Sequence, residues 1–472
     1  MNLSLKIATC LFLSGLLFLV ENSNAQTRPN VVFVFADEWR AQDVGYNGNS
    51  DVLTPNLDKL AKQGINFTNT ISTTPVCTPY RASLLTGQYP LTTGLFVNDV
   101  QLNPEANSMG KVFKAAGYET AYIGKWHLDG RGRKSLIPVE RRQGFEYWKV
   151  LECTHDYINS YYWDNNDSLQ KWDGYDAYDQ TVDAVNYIKT RKQSDKPFLL
   201  MLSWGPPHTP FAQAPESLKK IYRQKQLKIR DNVPDSLIEK AINDQIGYYA
   251  HITALDSCIG MLRKTLKETG LDENTIFIFT SDHGSMNRSH AAEHKQRPYE
   301  ESIHVPMLIR FPKVFGNKGK TNDMLIGTPD LMPTLLGLCG LPIPSGVQGT
   351  DKSKVMSVEE KDTTEAVLIA CYQPFGQWPA QIGGKEYRGV RTKQFTYVKD
   401  LSGPWLLFDN IDDPFQLTNL IHEQKYQKNM EKLDGMLVRL LESTGDEFLP
   451  GMEYVKKWGY VVDETGTVPY KD

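Results

Sequence analysis

Short apolar runs of strand length recur along most of the chain and alternate with stretches of helical periodicity. Residues 30–35 form a β-branched and aromatic run that leads into Asp37-Glu38, as expected of a parallel strand that is buried on both faces. Further strand-like runs lie at residues 120–123, 197–203, 275–280 and 305–310. This alternation predicts an α/β fold, with a large, mostly parallel sheet flanked by helices.

Two helical patterns illustrate what lies between these runs. Thr54-Pro55 begins a stretch with helical spacing that ends at Gly64, since proline suits a first helical turn and glycine often ends a helix. The longest pattern, residues 236–268, has apolar residues at steps of three and four, so we expect one of its faces to pack on the core. We interpret His251 within it as a hydrogen-bonded helix histidine rather than a ligand.

The pattern changes in the last quarter of the chain. Residues 349–361 are rich in Asp, Lys, Ser and Glu, which is typical of a linker. Short strand-like runs and a helical pattern follow, at residues 366–370, 387–391, 395–398 and 423–441. Because 472 residues exceed what one core usually supports, we predict a main domain over residues 26–355 and a smaller C-terminal α+β domain, built on an antiparallel sheet, over residues 356–472.

The N-terminus has the features of an export signal. Lys6 precedes an apolar run over residues 7–20, and Ser23-Asn24-Ala25 follows it, which predicts a signal peptide over residues 1–25 and a protein that is periplasmic or secreted. No later segment has the length and apolarity of a membrane span, so we expect no stable membrane insertion after cleavage. The net charge is −4 without long runs of one sign, which argues against a nucleic-acid partner.

The cysteine count singles out one thiol. Six cysteines become five when Cys10 leaves with the signal peptide, and an odd number in an exported protein indicates one cysteine with a special role. If Cys77 has that role, the others form two disulfides or none, and their spacing leaves both alternatives open. These others are Cys153, Cys258, Cys339 and Cys371.

Cys77 lies in a segment with helical features. Pro79 predicts the start of a helix and Gly87 its end. Cys77 would then precede a helix N-terminus, where the helix dipole lowers a thiol pKa and favours anions, and Arg81 could add a positive charge one turn along. The alternative interpretation of these residues alone is a helix start with a buried structural cysteine.

Polar residues follow several predicted strands, where α/β sheets place their sites. Asp37 and Glu38 could both turn toward a hard cation such as Ca²⁺, or could simply form an acidic strand end. Lys125 and His127 are two residues apart, so on one strand face both could reach a single pocket while Trp126 points elsewhere.

His208 stands among three prolines, Pro206, Pro207 and Pro210. These prolines restrict the backbone and would pre-organise the imidazole at little entropic cost. The alternative is a rigid corner whose histidine only hydrogen-bonds a carbonyl group.

Taken together, these motifs carry a family resemblance. The segment Cys77-Thr78-Pro79-Tyr80-Arg81, continuing to Gly87, resembles the signature of the formylglycine-dependent type I sulfatases of the alkaline phosphatase superfamily. The other motifs follow in the same order as in that family, and the set is most similar to bacterial carbohydrate sulfatases. They are Gly124-Lys125-Trp126-His127, Pro206-Pro207-His208, Asp282-His283-Gly284, Lys295 with Tyr299-Glu300-Glu301-Ser302, and the C-terminal stretch over residues 389–420.

The resemblance implies an alkaline-phosphatase-like fold and a set of site roles. A separate maturating enzyme would convert Cys77 to formylglycine (3-oxoalanine), whose hydrate attacks sulfur. A calcium ion would be held by Asp37, Glu38, the side chain at position 77, Asp282 and His283, where Glu38 replaces the commoner aspartate. Arg81, Lys125 and Lys295 would neutralise the sulfuryl oxygens, His208 would protonate the leaving alcohol, and His127 would act as base.

The resemblance also implies a sulfated carbohydrate substrate, without specifying the ring, the sulfate position, or exo or endo action. An aromatic and polar insertion over residues 156–175 is suited to stacking a sugar, although a packed loop is the alternative. Its aromatic residues are Tyr157, Tyr161, Tyr162, Trp163, Trp172 and Tyr175. Two other functions remain open at this point, a phosphonate monoester or phosphodiester hydrolase and an unmatured glycan-binding pseudoenzyme.

Overall fold

A ten-stranded sheet with helices on both faces forms the larger part of the computed structural model, which describes residues 28–357 and 360–470. The predicted signal peptide, residues 1–25, lies outside the described residues. The strands of this sheet are β1 (Asn30–Asp37), β2 (Ile65–Ile71), β3 (Glu119–Lys125), β4 (Tyr147–Leu151), β5 (Tyr161–Trp163), β6 (Leu169–Lys171), β7 (Phe198–Pro207), β8 (Thr275–Ser281), β9 (Leu308–Arg310) and β10 (Lys320–Gly327).

The helices of this part of the chain are α1 (Pro55–Ala61), α2 (Cys77–Thr86), α3 (Pro90–Thr93), α4 (Met109–Ala115), α5 (Asp176–Thr190), α6 (Glu216–Arg223), α7 (Ile238–Thr269), α8 (Glu300–Ile303), α9 (Pro312–Phe315), α10 (Leu331–Leu338) and α11 (Ser353–Met356). Helix α7 buries its apolar stripe as predicted. His251 within it lies 2.6 Å from the Tyr175 hydroxyl, which confirms its structural role.

The sheet is mostly parallel, and its strands follow the order β10-β2-β9-β8-β1-β7-β3-β4-β5-β6. Strand β1 pairs in parallel with β7 on one side and β8 on the other, and every residue of these three strands is buried. Their apolar runs are therefore covered on both faces, which confirms the predicted α/β class. Strand β9 lies antiparallel to both β2 and β8.

The C-terminal part contains a second, antiparallel sheet, which confirms the α+β prediction. Its strands are β11 (Val367–Cys371), β12 (Tyr387–Arg391), β13 (Phe395–Asp400) and β14 (Gly403–Asp409), and its helices are α12 (Gln427–Thr444) and α13 (Gly451–Lys457). One apolar cluster joins Val367 and Ile369 of this sheet to Ile71 and Leu325 of the larger one. The two sheets therefore share buried contacts.

Two expectations about local structure were wrong. The predicted linker contains the short helix α11, and the side chain of Lys352 just before it is buried and paired with Asp362. Helix α2 begins at Cys77 and not at Pro79, and all its residues are buried. It does end at Gly87, whose φ of 65° is the left-handed conformation that favours glycine.

Candidate active site

The candidate site residues meet at one edge of the large sheet. Strands β8, β1, β7 and β3 are neighbours and run parallel, so their carboxyl ends lie together. Asp37 and Lys125 are the last residues of β1 and β3, Asp282 follows β8, and His208 follows β7. Cys77, the first residue of α2, reaches the same place.

Four buried side chains form a compact group of potential metal ligands. The ligand atoms of Asp37, Cys77, Asp282 and His283 all lie within 4.8 Å of one another. The Cys77 Sγ lies 3.6 Å from Asp37 Oδ1 and 3.4 Å from His283 Nε2. His283 Nδ1 lies 2.9 Å from the Gly284 carbonyl oxygen, and donation to this carbonyl leaves Nε2 as a lone pair that faces the group. This is the tautomer that binds a metal.

Glu38 lies beside this group and not within it. Its backbone has a φ of 71°, and its carboxylate lies 3.4 Å from His208 Nε2 and 3.9 Å from His294 Nδ1. Within residues 28–357 and 360–470, neither carboxylate oxygen has a hydrogen-bond partner. Burial raises the pKa of Glu38. Buried polar atoms without partners are rare, so this carboxylate is available to a ligand.

Two lysines lie beside the carboxylates and the thiol. Lys125 Nζ lies 2.5 Å from Asp37 Oδ2, and Lys295 Nζ lies 3.2 Å from Cys77 Sγ. Burial opposes the charge of both lysines, but Asp37 raises the pKa of Lys125, and Cys77 and Glu38 raise that of Lys295. Burial raises the pKa of Asp37, but Lys125 and Lys295 lower it by more than burial raises it. The pKa of Asp37 is therefore well below its usual range.

Arg81 is buried beside the potential metal ligands and contacts two of their carboxylates, Asp37 and Asp282. One terminal nitrogen donates to Ser203 Oγ at 2.7 Å and to the Lys125 carbonyl oxygen at 2.8 Å. The other lies 3.3 Å from Asp37 and 3.4 Å from Asp282. The guanidinium therefore positions the acidic residues.

His127 reaches the site from beyond the end of β3. Its φ is 58°, so it does not share a strand face with Lys125 as predicted, although both side chains line one cavity. His127 Nε2 lies 2.8 Å from Asp99 Oδ1. Burial and the charge of Lys125 lower the pKa of His127, but the hydrogen bond and charge of Asp99, together with an interaction with Cys77, outweigh them and the pKa is raised overall.

His208 is held by its neighbours. Its ring stacks on His155 at a centroid distance of 4.4 Å, and its Nδ1 lies 2.8 Å from the Thr209 carbonyl oxygen. The Tyr157 hydroxyl lies within hydrogen-bond distance of the carbonyl oxygens of His208, at 3.0 Å, and Thr209, at 3.1 Å. Burial and the charge of Lys295 lower the pKa of His208 well below its ordinary value, so the imidazole is neutral here.

A cavity of about 130 Å³ opens on this group. Its walls include five of the residues singled out in the sequence, Cys77, Lys125, His127, His208 and Lys295, while Arg81 is not part of the wall. The remaining lining residues are Asn98, Asp99, Arg133, Cys153, His155, Gln296, Phe375, Gly376, Gln377 and Thr467. The space suits a small anionic group, and it is closed partly by the C-terminal region.

The aromatic insertion is largely structural. Tyr157, Trp172 and Tyr175 are buried in an apolar cluster, so they are not free to stack on a sugar. Strand β5 contains the other three aromatic residues, Tyr161, Tyr162 and Trp163, which are half-buried. Tyr162 stacks on Trp172.

Sequence reasoning missed several residues of the site. Asp99, Ser203 and His155 each contact a predicted site residue, but none lies in a recognisable motif. The cysteines other than Cys77 form no disulfide in the described part of the chain. All five, Cys77, Cys153, Cys258, Cys339 and Cys371, are buried free thiols. Within the described ranges, no helix combines the length and apolarity needed to cross a membrane.

Comparisons with known proteins agree with this site. The Sulfatase family model matches residues 29–341, and the model for the C-terminal region of N-sulphoglucosamine sulphohydrolase matches residues 289–443. An ulvan-active sulfatase of Formosa agariphila is 43% identical, over 96% of this chain and 88% of that protein.

Solved structures show the same similarity. A Bacteroides thetaiotaomicron protein of glycosaminoglycan metabolism superposes with a TM-score of 0.81 at 30% identity, over 91% of this chain and 98% of that one. A protein solved with its substrate D-glucosamine-2-N,6-O-disulfate gives a TM-score of 0.77 at 25% identity, over 90% and 99% of the two chains. The chain therefore belongs to the sulfatase family, has the alkaline-phosphatase-like fold of that family, and is a sulfuric ester hydrolase.

Proposed function

We propose that this enzyme removes O-sulfate from a sulfated carbohydrate, with formylglycine at position 77 and a bound Ca²⁺. The observation that carries the proposal is the arrangement around Cys77 Sγ, where two carboxylates, a metal-binding imidazole tautomer and the Lys295 ammonium converge at the floor of a small cavity. The named activities of the relatives, on ulvan and on a sulfated glucosamine, support a carbohydrate substrate.

The residues present fit a divalent cation. Two buried carboxylates, the lone pair of His283 Nε2 and the unpartnered oxygens of Glu38 provide donors from several directions. Ca²⁺ prefers oxygen ligands, and conversion of the Cys77 thiol would replace its sulfur by oxygen. We therefore assign the metal site to Asp37, Glu38, position 77, Asp282 and His283.

The absent groups would supply two kinds of chemistry, since the ion would neutralise sulfuryl oxygens and a hydrated aldehyde at position 77 would supply the attacking hydroxyl. Lys125 and Lys295 line the cavity and would bind the sulfuryl oxygens as their charge changes. Arg81 contributes indirectly, because its terminal nitrogens are bound to Ser203, Asp37 and Asp282.

The two histidines would move protons. His127, oriented by Asp99, would accept a proton from the side chain at position 77. His208 is neutral here, and the negative charge of a bound sulfate ester would favour its protonation, so that it could then protonate the leaving oxygen.

We also propose the limits of the two domains and the cellular location of the protein. We assign residues 26–355 to the catalytic domain and residues 356–472 to the C-terminal domain. We propose export to the periplasm or the medium after removal of residues 1–25. Maturation would require a formylglycine-generating enzyme as a partner.

The central test is a screen for sulfate release from defined sulfated mono- and disaccharides and ulvan oligosaccharides, with Cys77→Ala as the matched inactive control. We expect desulfation of at least one carbohydrate by the wild type alone. Hydrolysis of bis-4-nitrophenyl phosphate in preference to every sulfate ester would contradict the proposal.

The maturation step has its own test, which is the mass of the Cys77 peptide from the native host. We expect the loss of mass that accompanies conversion of the thiol to an aldehyde. A peptide that retains the thiol, in protein that releases no sulfate, would favour the glycan-binding alternative.

A further inference from the structure

Arg133 contributes a cation to the active-site cavity, separately from the residues that surround Cys77. It lines the same cavity as Cys77, Lys125 and Lys295. It belongs to the loop between β3 and β4, which no motif in the sequence singled out. Its side chain is exposed, so it stands at the mouth of the cavity and not at its floor.

The Arg133 guanidinium is held in place from two sides. Its Nε donates to the Tyr470 hydroxyl at 3.1 Å, and the guanidinium lies 5.5 Å from the centre of the Tyr470 ring. One terminal nitrogen lies 3.5 Å from Nδ1 of His155, whose ring stacks on His208. These contacts place the Arg133 guanidinium close to His208, the proposed acid for the leaving group.

The rest of the loop is also anchored. The Trp163 indole donates to the Lys134 carbonyl oxygen at 2.9 Å, and the Lys134 ammonium lies 5.3 Å from the centre of the Tyr161 ring. The half-buried aromatic residues of β5 therefore support the loop that carries Arg133.

The charge of Arg133 has no acidic partner at contact distance. In residues 28–357 and 360–470, no carboxylate oxygen lies within 4.0 Å of its guanidinium. Two other arginines between β3 and β4, Arg131 and Arg141, both pair with Asp129. Burial lowers the pKa of Arg133, but Cys153, Tyr470 and, to a smaller extent, Asp99 raise it overall. Asp99 itself has its Oδ1 bound to His127.

We propose that Arg133 binds a second anionic group of the substrate, on the sugar next to the one that carries the scissile sulfate. This inference rests on the proposed function. Nη2 of Arg133 has no hydrogen-bond partner within residues 28–357 and 360–470, whereas Nε and Nη1 contact Tyr470 and His155. The terminal nitrogens of a guanidinium suit the two oxygens of a carboxylate or of a sulfate. The chemical class of the substrate is therefore a sulfated sugar with a further negative charge, from a uronic acid or a second sulfate.

The test compares three disaccharides with the same scissile sulfate. One has a uronic acid next to the sulfated sugar, one has that carboxylate reduced to an alcohol, and one has a second sulfate on the reduced form. For the wild type we expect kcat/KM to be about 10- to 100-fold higher with an anionic group than without it, mainly through KM, as for a hydrogen bond to a charged group. Preference for the uronate or for the disulfate identifies the source of the anion.

Variants then assign that preference to Arg133. Arg133→Gln is expected to remove most of the ratio between anionic and neutral substrates, and Arg133→Lys to keep part of it. Lys134→Gln, which removes a charge from the same loop without changing the cavity wall, is expected to keep the full ratio. Thermal melting of each variant reports on folding.

Two results would overturn the inference alone. These are equal kcat/KM of the wild type on all three disaccharides, or a loss in Arg133→Gln by the same factor on all three, which indicates a structural role for the Tyr470 contact. Absence of desulfation with every sulfated carbohydrate would overturn the proposed function, and this inference with it.

Discussion

His127 and Asp99 form a buried hydrogen-bonded pair, with 2.8 Å between Nε2 and Oδ1. The pair joins two loops that are distant in sequence, and His127 Nδ1 has no hydrogen-bond partner within the described part of the chain. Asp99 therefore orients the ring so that its other nitrogen faces the cavity. A histidine arranged in this way can accept a proton from a neighbouring hydroxyl.

The pH dependence of activity should report on this pair. Burial and Lys125 lower the pKa of His127, while Asp99, through its hydrogen bond and its charge, and Cys77 together raise it above its ordinary value. Asp99→Asn removes the negative charge, so we expect the pKa of His127 to fall. His127 must be unprotonated to act as the proposed base, so the acidic limb of the kcat profile should move to lower pH. The kcat at neutral pH should fall about 10-fold or more through loss of ring orientation. An acidic limb that moves to higher pH would contradict this assignment.

Replacement of Cys77 by serine should stop turnover after one cycle. A serine could accept the sulfuryl group through its single hydroxyl, but it has no second hydroxyl from which His127 could remove a proton to expel sulfate. In a host that does not oxidise serine, we expect a burst of at most one desulfated alcohol per enzyme molecule, with the sulfuryl group retained on the serine oxygen. Repeated turnover by a variant verified by mass would rule out the mechanism.

Calcium binding should depend on Glu38. Its two carboxylate oxygens are buried without a hydrogen-bond partner in the described ranges, and we expect Glu38→Gln to weaken Ca²⁺ binding about 10- to 100-fold. Calorimetric titration of metal-free protein measures this affinity without requiring activity. Glu293→Gln, which alters an exposed carboxylate nearby, is the control and should bind Ca²⁺ as the wild type does. Unchanged affinity in Glu38→Gln would remove Glu38 from the ligand set.

A buried ion pair joins strand β12 of the C-terminal sheet to the segment after α12, and its effect on stability should depend on pH. Arg388 and Asp446 are both fully buried and paired. Burial raises the pKa of Asp446, but the charge of Arg388 outweighs it and the pKa is lowered overall. The carboxylate therefore stabilises the fold above its unfolded pKa of about 3.9, and this contribution is lost as the pH falls through its lower folded pKa.

We expect Asp446→Asn to cost about 3–5 kcal/mol at neutral pH, because it leaves a buried guanidinium without its counter-charge. The difference in Tm between variant and wild type should shrink at pH values below about 4. Asp412→Asn, at an exposed position, should leave Tm nearly unchanged. A difference in Tm for Asp446→Asn that is the same at neutral and acidic pH would contradict the electrostatic explanation.

In the larger sheet, the strands that could be predicted from sequence are those buried on both faces. Strands β1, β7 and β8 are continuous apolar runs, so composition alone identifies them. Strand β2 includes Asn66 and Asn69, and the first half of β10 is polar and largely exposed. Both therefore lack the apolar run that identifies a strand, and both were missed.

The same distinction applies to the site. Asp37, Lys125 and Asp282 lie at or just after strand ends, where sequence and topology together predict convergence. Asp99 and Tyr470 lie in irregular segments far along the chain from their partners His127 and Arg133, and no local pattern could pair them. The hydrogen bonds and ion pairs that Arg81 makes within the protein depend on side-chain packing, which a sequence motif does not describe.

The cavity is lined by residues that are far apart in sequence, Cys77 and Thr467. Cys77 is only 2% exposed in the finished fold, and Thr467 lines the cavity above it. At a synthesis rate of about 5–20 residues per second, the segment around Cys77 leaves the ribosome tens of seconds before that last wall exists. A modifying enzyme that must reach the thiol therefore has a limited interval in which to act, and slower completion of the C-terminal region would lengthen it.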